Sequence, residues 1–225
     1  MDLAKENRPK IAVIVPALNE EMTVGQVVST LKRSPFLDEV IVVSSGSSDR
    51  TAAIARKNGA IVYEPPANGS KGASLLFGLS KTDAPIIVFC DADLKGLTIN
   101  HVQQLVQPLI NGKRTMNIGL RDRGALITNI TKHLPLIAGE RALRREVIEN
   151  IDPKFLKGYM VETALNYYCR IKKLNYGVTP LRGLKIRKKI EKVGFWQGCR
   201  EYINMDLQVL KAMIIVRLAY WCGKF

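Results

Sequence analysis

The stretch Ile86-Ile87-Val88-Phe89-Cys90-Asp91-Ala92-Asp93 runs from five consecutive apolar residues straight into two carboxylates. A short run that is apolar on both faces, entered at Pro85, suits a strand inside a parallel sheet that is covered on both sides. The same pattern recurs upstream in Lys10 to Val15 (KIAVIV) and in Glu39 to Val43 (EVIVV). Between these runs the period changes. Thr23 precedes Val24, Val27, Val28 and Leu31 at helical spacing, and Ser48 or Asp49 can cap a helix over Thr51 to Lys57 that stops at Gly59. Ala60 to Tyr63 reads as a third strand, and Ser70 can cap a helix over Lys71 to Leu79. Further on, the pattern predicts a helix over Ile99 to Ile110, a strand near Met116 to Leu120 and a helix over Val161 to Lys172. Strands alternating with helices predict an α/β fold with a mostly parallel sheet and helices on both faces.

Ligands of open α/β sheets bind at the carboxyl ends of the strands. Three polar motifs fall there: Asn19-Glu20-Glu21, Ser44 to Asp49, and Asp91-Ala92-Asp93. Where a chain turns out of a strand, carboxylates at i and i+2 can converge on one hard cation that also bridges a diphosphate. Asp91 and Asp93 are therefore the expected metal site, for Mg²⁺ or Mn²⁺. A solvated acidic loop is the alternative for a pair of this kind in isolation, and the two other strand-end motifs argue against it.

The 225 residues are 47% apolar, enough for one domain with an appendage. Cys90, Cys169, Cys199 and Cys222 are far apart and form no CxxC pair, which argues against a zinc site or a disulfide framework. Met1 to Lys10 lacks the apolar core of a secretory signal, so the cytoplasm is the expected compartment. Asn129-Ile130-Thr131 is a glycosylation triplet that such a protein would not use. His101 and His133 are expected to be packed or surface residues. The net charge is +14, and from Arg170 onward 13 Lys or Arg stand against 3 acids. That quarter is expected to meet something anionic. The signatures of common nucleic-acid modules are absent, so no nucleic-acid partner is expected.

VIVPALNEE (Val13 to Glu21), EVIVVSSGSSDRTAAIA (Glu39 to Ala55), SKGASLLFGL (Ser70 to Leu79) and IIVFCDADL (Ile86 to Leu94) resemble, in order and spacing, the successive blocks of family 2 glycosyltransferases of the GT-A fold. GERALRREV (Gly139 to Val147) and GYMVETAL (Gly158 to Leu165) resemble later blocks of the polyprenyl-phosphate branch. The resemblance implies a nucleoside diphosphate sugar donor held by Pro16, Ala17, Asn19, Glu20, Ser45, Lys71, Asp91 and Ala92. It also implies metal at Asp91 and Asp93, catalytic roles for Asp93, Arg121 and Glu162, acceptor phosphate on Arg121, Arg123 and Arg141, and displacement with inversion. For Glu20 and Glu21 the plainer reading is a helix entry, where acids suit the dipole. For Lys71 it is a solvated lysine. For Arg144 and Arg145 it is a solvated helix face, and for Glu162 a helix anchor.

Two positions depart from the family pattern. Ser44 and Ser45 replace carboxylates that commonly read the base, and Lys95 stands where the branch often has Gln beside the metal. The tail over Met205 to Cys222 is apolar but interrupted by Asp206, Gln208, Lys211 and Arg217, too broken to span a membrane. It reads as an amphipathic helix, with an extension over 195–225 following a catalytic domain over 1–194. The expected acceptor is polyprenyl phosphate, with peripheral association at the inner membrane face. The alternatives are a soluble phosphorylated small molecule, or a degenerate fold kept for partner binding. A helix that packs on the sheet, or a homodimer seam, is the alternative for the tail.

Overall fold

The structure is a computed structural model that describes residues 8–67, 70–121, 138–158, 160–186, 211 and 213–222. The first half alternates β1 (Ile11–Ala17), α1 (Val24–Lys32), β2 (Glu39–Ser44), α2 (Thr51–Lys57), β3 (Ile61–Tyr63), α3 (Lys71–Leu79) and β4 (Ile86–Phe89). There follow β5 (Leu94–Lys95), α4 (Ile99–Ile110), β6 (Met116–Arg121), β7 (Arg141–Arg144), α5 (Arg145–Glu149), α6 (Met160–Ile171), β8 (Tyr176–Leu181) and β9 (Lys185–Ile186). Seven strands form one sheet in the order β3-β2-β1-β4-β7-β6-β8, and β5 pairs with β9 in a separate ribbon. Within the large sheet β7 alone runs antiparallel to its neighbours β4 and β6.

The apolar runs form central strands because both of their faces are covered. Along β1, Ile11, Val13 and Val15 join the layer of α1, α2 and α4, while Ala12 and Ile14 join that of α3, α5 and α6. In β4, Ile86 and Val88 face the first layer, and Ile87 and Phe89 the second. This two-residue alternation explains why an uninterrupted apolar run was required at each strand.

Helix ends follow local chemistry. The Ser70 hydroxyl accepts a hydrogen bond from Ala73 N at 3.2 Å, as the cap reading predicts. Thr98 and His101 form a reciprocal cap on α4, and His101 Nε2 lies 2.9 Å from the Arg182 carbonyl oxygen. The histidine is thus buried in a capping role. Asp49 does not cap α2 from the N-cap position, which Arg50 occupies; one residue earlier, it accepts from Thr51 N at 2.9 Å. Gly59, at φ +88°, ends that helix as expected.

Two expectations needed revision. Arg141–Arg144 is a strand, and Arg145 begins α5 with its guanidinium on the carbonyl oxygens of Ala84, Leu79 and Thr82, so it clamps the entry to β4 instead of facing solvent. The second is the tail helix, through 213–221, whose inner side packs on the domain, the alternative reading for this segment. Val216 is fully buried against the α6 layer, while Ile214, Leu218 and Trp221 remain exposed. The boundary expected near 194 and residues 195–210 lie outside the described residues.

Candidate active site

The loops after β1 and β2 are latched together at the carboxyl edge of the sheet. Asn19 takes a left-handed backbone, φ 56°, a conformation asparagine tolerates better than most residues. Its amide donates to Ser47 Oγ at 3.2 Å, and its Oδ1 accepts from Ser48 N at 2.9 Å. Glu20 N donates to Thr51 Oγ1 at 2.7 Å and Glu21 N to Asp49 Oδ2 at 3.1 Å. Ser44 Oγ donates to Ser47 Oγ at 2.9 Å, and Ser45 Oγ to the Pro66 carbonyl at 3.2 Å. Pro16 and Ala17 close β1 beneath this latch. Residues expected to line a nucleotide therefore also build the loop that would receive it.

β4 lies beside β1, so Asp91 emerges next to that loop. Lys71, the first residue of α3, brings Nζ to 2.6 Å from Asp91 Oδ1 and 3.3 Å from Glu162 Oε1. Arg121, at the end of β6, lies 3.7 Å from Asp91 Oδ2 and 3.3 Å, through Nε, from Glu140 Oε2. Gly139 leaves room for the carboxylate: a Cβ there would sit 2.2 Å from Asp91 Oδ2. Ala92 is buried between Asp91 and Asp93, and Lys95 is exposed on β5. Glu162 is 4% exposed, and its Oε2 has no hydrogen-bond partner.

Burial alone would push the Asp91 carboxyl up; Lys71 and then Arg121 outweigh that and hold it below its ordinary range. Burial likewise opposes the Lys71 ammonium, but Asp91 and Glu162 raise it above its ordinary value. The pair is held charged. Glu140 differs: burial and the nearby Asp91 carry it up to about 7, with Arg121 and Lys71 only partly opposing.

The sequence reading passed over Glu140. Its one signal is an acid between Gly139 and Arg141 in a block already singled out; nothing local reveals that it is 2% exposed. Arg141, expected on the acceptor side, is fully enclosed instead. Its Nη2 donates to the Ala138 carbonyl at 2.6 Å, and Nη1 contacts Glu162 O and Asn166 Oδ1, each at 3.4 Å. The reason is its place on β7, an interior strand whose alternate side chains enter the core, so the guanidinium braces α6. Arg123 and His133 lie outside the described residues.

Among the described residues no three His, Cys, Asp or Glu side chains converge as a metal cage. Asp91 and Asp93 nevertheless fit Mg²⁺ or Mn²⁺ in the mode that uses one or two carboxylates and takes its remaining ligands from phosphate and water. The charged, oxygen-only donor pair at a strand end is what such a hard cation requires.

Residues 12–169 match the model of glycosyl transferase family 2. The chain belongs to glycosyl transferase family 2. Within the family it is similar to glucosyl-3-phosphoglycerate synthases: 33% identical over 268 residues to that of Mycolicibacterium paratuberculosis, covering 99% of this chain and 75% of the relative. Identity to the Petrotoga mobilis enzyme is 30% over 200 residues, and the alignment spans 61% of that relative. The Mycobacterium tuberculosis glucosyl-3-phosphoglycerate synthase, solved with Mn²⁺, UDP-glucose and phosphoglyceric acid, superposes with a TM-score of 0.79 at 28% identity, covering 95% of this chain and 81% of that one. Another structure of that enzyme holds Mg²⁺ and UDP, with a TM-score of 0.78. The GT-A fold of this family 2 chain is thereby established. The named relatives differ from the polyprenyl-phosphate branch to which its later blocks bear a resemblance.

Proposed function

We propose that this family 2 glycosyltransferase moves a sugar, glucose by the likeness of its relatives, from a UDP-sugar to a small phosphorylated acceptor such as 3-phosphoglycerate. The observation that carries this reading is Asp91 at the carboxyl end of β4, with Lys71 on one oxygen and Arg121 near the other. A diphosphate entering between the β1 loop and α3 meets Lys71, which can turn from its carboxylate partners to the phosphate oxygens. A divalent cation on Asp91 and Asp93 would supply charge neutralisation for the leaving diphosphate. Arg121, with its planar fork, is the residue for acceptor or diphosphate oxygens. The partnerless Oε2 of Glu162 is an acceptor for a sugar or substrate hydroxyl, and burial makes that hydrogen bond count. Unlike a phosphate acceptor, a hydroxyl acceptor also has a proton to lose, and in this reading Glu162, with its unpartnered Oε2, is the carboxylate that receives it.

A second reading keeps polyprenyl phosphate as the acceptor, at the inner face of the membrane. What favours it is the basic last quarter together with the exposed apolar side of the tail helix.

The test is a thermal-shift series with UDP, UDP-glucose, GDP-mannose and ADP-glucose, with and without Mn²⁺, on the protein and on Asp93→Ala. The expected outcome is a metal-dependent rise with the uridine ligands that the variant loses. UDP release with 3-phosphoglycerate, but not with a short-chain polyprenyl phosphate, then supports the soluble acceptor. No shift with any nucleotide would replace both readings with a fold kept for partner binding.

A further inference from the structure

The tail helix is two-sided. Val216 is 0% exposed and fixes the inner side, and at its margin the Tyr220 ring, itself 44% exposed, meets Tyr167 of α6 edge-on at 5.7 Å. Ile214, Leu218 and Trp221 recur at i, i+4 and i+7 and so share the outer side, at 53%, 51% and 79% exposed, with Ile215 beside them. Exposed apolar residues are ordinary when scattered; this many on one helix face mark a surface that meets something. Lys211 and Arg217 are exposed on the same helix, and the sequence before it carries Lys185, Arg187, Lys188, Lys189 and Lys192.

We propose that this face docks in the plane of an anionic phospholipid surface. The charge decides between occupants. A second copy would bring another chain of net charge +14, with its own Lys211 and Arg217, against the first. Anionic head groups offer the opposite sign, and acyl chains take the apolar stripe. No described helix is long and apolar enough to cross a membrane.

Co-sedimentation with phosphatidylcholine vesicles, and with vesicles that also contain phosphatidylglycerol, tests the proposal. The protein is expected to pellet with the anionic vesicles, less so as salt rises. Leu218→Glu/Trp221→Glu is expected to weaken that binding at least about tenfold while leaving the UDP thermal shift and the urea midpoint unchanged. Leu218→Ser/Trp221→Ser repeats the comparison with a smaller change. Equal binding to both vesicle types, no binding to either, or binding that the variants do not alter would overturn it. So would a dimer, seen by light scattering, that the same variants dissolve. Because UDP binding is read separately, failure here is distinct from failure of the proposed reaction.

Discussion

At the scale of single residues, Glu140 is the group whose behaviour follows most directly from its surroundings. Its carboxyl is buried, faces Asp91, and is only partly compensated by Arg121 and Lys71, which carries it from 4.5 up to about 7. The folded state therefore holds this proton more tightly than the unfolded chain does. As pH rises above 4.5 the unfolded state releases the proton first, so stability falls until the folded state has released it too, near 7. The expected loss in metal-free buffer is about 3 kcal/mol across that window. Asp91 acts in the opposite sense, since its lowered carboxyl loses stability only as pH falls through its own titration. Urea unfolding of the wild type and of Glu140→Gln at pH 5 and pH 8 separates the two. The difference between the proteins should shift in the variant's favour at the higher pH; a pH-independent difference would show that Glu140 stays ionised in the fold.

At the scale of elements, α3 is tied to the α6 side of the site by a close approach. A Cβ on Gly72 would lie 2.3 Å from the Leu156 carbonyl oxygen and 2.9 Å from Gly158 N, both backbone atoms that cannot swing aside. Gly72→Ala should lower stability by about 1–3 kcal/mol, the usual cost of overpacking. Because Lys71 precedes it, transfer activity should fall as well. A urea midpoint and a kcat indistinguishable from wild type would mean that the loop yields easily. The same scale shows why some elements were legible in sequence and others were not. β1, β2 and β4 announce themselves because both faces are buried, so every residue in the run must be apolar. β7 does not, because Arg141 and Arg144 interrupt it, and only pairing between β4 and β6 makes Arg-Ala-Leu-Arg a strand. Site residues divide the same way. Asp91, Asp93 and Lys71 carry local motifs, whereas the burial of Glu140 and the inward turn of Arg141 depend on neighbours distant in sequence.

At the scale of the whole molecule, the question is whether the tail helix is an ornament or part of the core. Its amphipathic pattern was readable, but the pattern does not say what its inner face touches. Val216 belongs to the same apolar cluster as Phe89 of β4 and Leu165 of α6, so the last helix closes a layer whose strands begin near the first residues of the fold. Removing two methyl groups at Val216 should therefore cost about 1–2 kcal/mol. Ile214→Ala removes more apolar surface, yet it should change stability by no more than about 0.5 kcal/mol, because that side chain already meets solvent. Paired urea titrations give the contrast directly. Equal, small effects would detach the helix from the core. The expected inequality would mean that the inner face of the helix is part of the core and that the outer face contributes little to the fold.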